Sequence, residues 1–130
     1  MALVTSKEII SLETVCKNLL EMDQIRHVAV INKLGKLVAG QFRPGVKPYL
    51  ENEQIKMVYM QLMLDLKMRQ ELDEILGSID YITSRRKNVS IICVPTEHFL
   101  VVISAERNVS SSKVVTRAEE LFDIIDLNGN

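Results

Sequence analysis

The chain has 130 residues, of which 47% are apolar and 25% charged, and its formal net charge is −1. These proportions suit a globular chain that can bury a core, and they exclude intrinsic disorder. A charge this close to zero excludes a whole-surface field that would draw the chain to nucleic acid or an anionic membrane, and it permits self-association.

One domain spanning residues 1–130 is expected at this length. The opening MALVTSKEIISLETV turns polar after Val4, unlike a signal peptide. No apolar run approaches the roughly 18 residues of a membrane span. Without an export signal, Cys16 and Cys93 are expected as reduced thiols packed as small apolar groups in a cytoplasmic protein. The glycosylation patterns at Asn88-Val89-Ser90 and Asn108-Val109-Ser110 then read as chance matches.

Thr5-Ser6-Lys7-Glu8 has the form of a capping box, and Ile9, Leu12, Val15, Cys16, Leu19 and Leu20 follow at helical spacing, so a helix is expected over about 6–22. The β-branched run IRHVAVI at 25–31 and LVAGQF at 37–42 flank a turn in which Gly35 supplies a positive φ. Pro44, Gly45 and Pro48 make residues 43–52 a loop.

A long helix is expected from a cap at Asn52, with Glu51 and Glu53 beside its positive end, to a stop at Gly77. That is about seven turns, or roughly 36 Å. It contains IKMVYMQLMLDLKM, which is apolar nearly all round and holds four of the six methionines. Three strands are expected next, at 79–84, 89–94 and 99–105. VSIICV and FLVVISA are continuous rather than alternating, as in central strands covered on both faces. After a polar loop at 108–112, Val114, Val115, Ala118, Leu121, Phe122 and Ile125 form one stripe of a last helix, with residues 127–130 expected to fray.

This order, together with Val28-Ala29-Val30-Ile31-Asn32-Lys33-Leu34-Gly35-Lys36-Leu37-Val38-Ala39 as first hairpin and Phe99-Leu100-Val101-Val102-Ile103 as last strand, resembles the roadblock/dynein light chain family, within the wider longin- and profilin-like folds. The resemblance implies an α+β fold of order α-β-β-α-β-β-β-α. In it a five-stranded antiparallel sheet carries the long middle helix on one face and the two terminal helices on the other. It also implies a homodimer paired through the middle helix and the strand after it. The implied role is a non-enzymatic adaptor or regulator acting on a small GTPase, a motor or a trafficking complex.

Within that frame, Ile55, Val58, Tyr59, Leu62 and Leu66 form the stripe assigned to the sheet. Met57, Met60, Met63, Leu64 and Met68 lie largely off it and are expected to pack on a second copy, since methionine adapts to an irregular seam. Ile79 and Tyr81, on an expected edge strand, would join the same interface. The competing expectation is that the terminal helices cover these methionines within one chain.

No motif specifies a reaction, a cofactor or a metal. His27 and His98 are the only histidines, and neither has ligand spacing to a cysteine or carboxylate. Gly35, Gly40 and Gly45 are not followed by a helix start that would hold a phosphate. DIIDLNGN lacks the distal Glu of a calcium loop. With three Tyr, three Phe and no Trp, nucleic-acid binding is not expected. Arg43 and Lys47 in one loop, and Arg85, Arg86 and Lys87 in another, are candidate contacts for an anion or an acidic partner if the loops converge; otherwise they are solvated charges. The alternative function is a small-molecule sensor with a pocket between sheet and helix, near Arg43 and His98.

Overall fold

The computed structural model describes residues 5–129, and side-chain surroundings for residues 5–123. The elements run α1 (Ser6–Leu19), β1 (Ile25–Ile31), β2 (Leu37–Phe42), α2 (Asn52–Gln70), α3 (Asp73–Leu76), β3 (Ile82–Arg85), β4 (Ser90–Pro95), β5 (Leu100–Ala105) and α4 (Ser111–Gly129). The strands form one antiparallel sheet in the order β2-β1-β5-β4-β3.

Side-chain alternation along the central strands sends apolar groups to both faces, and a separate core forms on each. On one face Leu12, Val15, Cys16 and Leu19 of α1 and Val114, Val115, Ala118 and Leu121 of α4 meet Val28, Val30, Ile92, Val101 and Ile103. On the other, Tyr59, Met63 and Leu66 of α2 meet Ala29, Ile31, Cys93, Leu100 and Val102. The terminal helices therefore share one face and the middle helix takes the other, as expected. The two cysteines are free, buried and in different cores, and burial pushes both thiols up to about 12.

Local signals explain most boundaries. Thr5 Oγ1 accepts from the Glu8 amide at 3.1 Å, which caps α1. In the β1–β2 turn, Asn32 Oδ1 accepts from the amides of Leu34 and Lys36, and Gly35 has φ 77°. α2 begins one residue earlier than its expected cap: Glu51 is the N-cap, and its amide donates to Gln54 Oε1 at 2.9 Å.

Two expectations need correction. The long helix is not continuous to Gly77. It ends at Gln70, where the Leu72 amide bonds back to the Arg69 carbonyl three residues earlier, and a single turn, α3, follows. No glycine or proline at 71–72 announces this break. The strand expected at 79–84 is also shorter and later, at Ile82–Arg85. Its register pairs Ile82 with Cys93, so extending it backward would set Asp80 against Pro95, which has no amide to donate. At the other end, α4 remains helical through Gly129, past the expected fraying point; Asn130 and the Ile125 side chain lie outside the described residues.

A Cβ on Gly35 would stand 3.2 Å from the Met60 Cα and 3.3 Å from its sulfur, in a left-handed backbone. Gly45 has similar φ but open space around it. Gly35→Ala is therefore expected to destabilise by about 1–3 kcal/mol, more than Gly45→Ala, in paired urea-unfolding curves.

Candidate interaction face and cleft

α2 is apolar on two opposite sides because Tyr59, Met63 and Leu66 recur at spacings of four and three, while Met57, Met60, Leu64 and Met68 recur out of phase with them. The first set packs on the sheet. The second points away: Met57 is 62% exposed, Met60 40%, Leu64 55% and Met68 72%. Met63 departs from its expected place in that outer set. It is 4% exposed and belongs to the sheet-facing core, since it lies one turn beyond Tyr59. Ile79 likewise packs partly against its own chain's α2 core, while Tyr81 is exposed.

The outer stripe is longer than expected. Leu72, Ile75 and Leu76 are all exposed beyond the end of α2, and Leu34 and Leu37 are exposed on the hairpin whose Gly35 abuts Met60. A step of four from Met68 reaches Leu72, whereas Ile75 and Leu76 lie past the break in the helix. Neither terminal helix covers this surface, because α1 and α4 pack on the opposite face of the sheet.

A second feature lies under the N-terminal half of α2. The sheet register lines up Phe42, His27, Ser104, Ile91 and Ser84 as one row across all five strands. The buried side chains of α2 rest on the neighbouring rows. Two of the five positions in the outlying row are serines, too short to fill the space beneath the helix. The result is a cleft of about 1010 Å³ roofed by Ile55, Val58, Tyr59 and Leu62 and bordered by Pro48–Leu50 and by Arg86–Val89. Its floor includes the His27 ring, stacked on Phe42 at 3.9 Å. Burial lowers the His27 pKa to about 4, so the ring is neutral near pH 7.

The basic residues divide among three roles. Arg43 does not face this cleft. Its guanidinium donates to the carbonyls of Ile25 (2.6 Å), Leu20 (2.7 Å) and Met22, which tie the end of α1 to the start of β1. Arg85 donates to the Val109 carbonyl at 3.1 Å and so anchors the loop before α4. Lys47 is exposed, and its carbonyl accepts from Arg26 at 3.1 Å. Only Arg86 and Lys87, of the five expected contacts, line the cleft. His98 is exposed in the β4–β5 turn and does not line it either.

Sequence reasoning missed Arg26, the third cation on the cleft. The β1–β5 register slips between Ile25 and His27, so Arg26 is the extra residue of a bulge, which re-aims its side chain. Arg26 pairs with Glu106 at 3.2 Å and lies 4.3 Å from the Tyr49 ring centroid, holding the 47–49 loop at the rim. A lone arginine inside an apolar strand was the available signal. Among the described residues, no cluster of His, Cys, Asp and Glu could hold a metal, and no helix is long and apolar enough to cross a membrane.

The family of unknown function DUF6659 matches the sequence over residues 4–125. No curated protein matches it. Among solved structures, a Roadblock/LC7 domain from Streptomyces avermitilis aligns with TM-score 0.70 at 6% identity, covering 89% of this chain and 95% of that one. The gliding protein MglB from Thermus thermophilus aligns with TM-score 0.73 at 14% identity, covering 93% and 89%. Profilin from Schizosaccharomyces pombe aligns with TM-score 0.62 at 15% identity, covering 91% and 98%. At these identities the likeness is one of fold, and it places the chain in the roadblock- and profilin-like α+β class.

Two measurements follow from these contacts. Arg43→Ala should lower stability by about 2–3 kcal/mol in chemical denaturation, and Arg43→Lys should recover little of it, because one ammonium cannot reach three carbonyls. His27 binds a proton in the unfolded chain near pH 6.5 but in the folded chain only near pH 4. Its neutral burial therefore supports folding fully above about pH 6.5, and that support declines on acidification toward pH 4, by roughly 1.4 kcal/mol per pH unit at most. His27→Gln should flatten this part of the stability–pH curve.

Proposed function

The chain belongs to the family of unknown function DUF6659, and from that premise we propose that it is a non-enzymatic, homodimeric adaptor or regulatory module. The observation that supports this reading is the uncovered stripe of Met57, Met60, Leu64 and Met68 on α2, extended by Leu72, Ile75 and Leu76. Uncovered apolar side chains in this number on a small protein support the reading of an interaction surface. A two-fold axis would lay the stripe on its own copy, burying the same residues on both chains. Methionines let such a seam accommodate imperfect repeats of shape.

Tyr81 is exposed and would join the seam, whereas Met63 and Ile79 would support it from within their own chain. The roadblock fold, shared with the Roadblock/LC7 domain and MglB, supports a regulatory role. By that resemblance the partner of the assembled dimer is a small GTPase or a motor or trafficking complex. Fold likeness makes this an analogy, and the partner is to be identified by capture.

The double substitution Met60→Glu/Leu64→Glu should convert the dimer to a monomer in sedimentation equilibrium. Each lost burial costs roughly 2 kcal/mol, before the cost of enclosing a charge. Both side chains are exposed in the single chain, so its circular dichroism and thermal transition should persist. A variant that still sediments as a dimer would place the seam elsewhere.

A further inference from the structure

The cleft between α2 and the sheet has a chemistry of its own, on the opposite side of α2 from the methionine stripe. Its roof is apolar apart from Gln61 and the Tyr59 hydroxyl, and its floor is mixed, with Ile91 and Val102 among small polar groups. Arg26, Arg86 and Lys87 all border it, and none of the lining residues is an Asp or Glu. The cations are not equivalent. Arg26 is partly neutralised by Glu106 and serves to hold the rim. Among the described residues, the side chains of Arg86 and Lys87 form no ion pair. They project from a tight turn closed by the Arg86 amide on the Val89 carbonyl at 2.8 Å.

The size lies at the upper end of small-molecule sites, which pair apolar walls with a few placed polar groups. Apolar walls favour a hydrocarbon or aromatic body. One-signed charge at the mouth selects the sign of the ligand's head. Ser84 and Ser104 on the floor offer hydroxyls to a ligand without adding charge.

We propose that this cleft binds a small amphipathic organic anion, with its apolar body between α2 and the sheet and its carboxylate head at Arg86 and Lys87. This goes beyond the adaptor reading and does not depend on it, because the cleft lies within one chain and its lining excludes Met57, Met60, Leu64 and Met68. The inner side of α2 would hold the ligand while its outer side meets a partner.

The test is calorimetric titration of the full chain with decanoate, set against decyltrimethylammonium and decanol, all below micelle formation. Saturable binding of decanoate at one site per chain is expected, with the cationic analogue at least tenfold weaker. Arg86→Glu/Lys87→Glu reverses the charge of two exposed turn residues and should weaken decanoate at least tenfold while leaving the thermal transition in place. Ser104→Trp should fill the floor and abolish binding. Circular dichroism and the thermal transition would confirm that this variant folds; if it does not, the charge-reversal pair alone decides. The monomerising Met60→Glu/Leu64→Glu variant should still bind decanoate, so failure of the dimer reading and failure of this one are separable. Equal binding of the two charged analogues, no saturable binding, or decanoate binding unchanged by the charge reversal would overturn the proposal.

Discussion

Everything on the α2 face of this protein depends on how one helix seats on the sheet. Tyr59, Met63 and Leu66 enter the surface made by Ala29, Ile31, Cys93, Leu100 and Val102. That contact fixes the rotation of α2 about its axis. Once the rotation is set, Met57, Met60, Leu64 and Met68 have no place to go but outward. The same contact sets where the helix lies along the sheet. It covers the rows nearer the β1–β2 turn and leaves the row of His27, Ser104 and Ser84 open. The exposed stripe and the cleft are two consequences of one packing arrangement.

The opposite face shows the contrast. There α1 and α4 each present a single apolar stripe, and together they enclose Val28, Val30, Ile92, Val101 and Ile103. Two amphipathic helices cover that side of the sheet fully, so it has little left to offer a ligand. The middle helix works alone on its side and is apolar on both of its own. This asymmetry leaves one face of the sheet enclosed by two helices and the other carrying a single helix whose outer side is uncovered.

The basic residues illustrate how charge is distributed between these tasks. Arg43 and Arg85 commit their donors to backbone carbonyls at chain junctions, and the Arg43 fork of N–H groups ties several of them together at once. Arg26 bridges Glu106, the Lys47 carbonyl and the Tyr49 ring, and so fastens a loop rather than waiting for a ligand. Arg86 and Lys87 sit at the tip of a strand connection, in a turn closed by its own backbone hydrogen bond. In sequence these five look alike. Their roles diverge because carbonyl groups from distant segments happen to surround some of them.

Helical and strand periodicity, Gly35 and the Thr5 cap are local quantities, and the order of elements, the covering of the central strands on both faces and the surplus apolar side of α2 could be read from them, while the assignment of helices to faces came from the family resemblance. The hairpin boundaries at Ile25–Ile31 and Leu37–Phe42 agree with that reading because both strand propensity and the turn are encoded within a few residues. Even the seat of Met63 was latent in its spacing from Tyr59. What only the tertiary structure decided are the relations between segments far apart in the chain. The break at 71–72 carries no breaker residue, β3 begins only after the position whose register partner would be Pro95, and the bulge at Arg26 exists only in the pairing of β1 with β5. The cleft likewise requires two serines, on β3 and β5, to fall in register beneath a helix that contacts other rows. Register and long-range packing arise from contacts between residues dozens of positions apart, and no local pattern carries them.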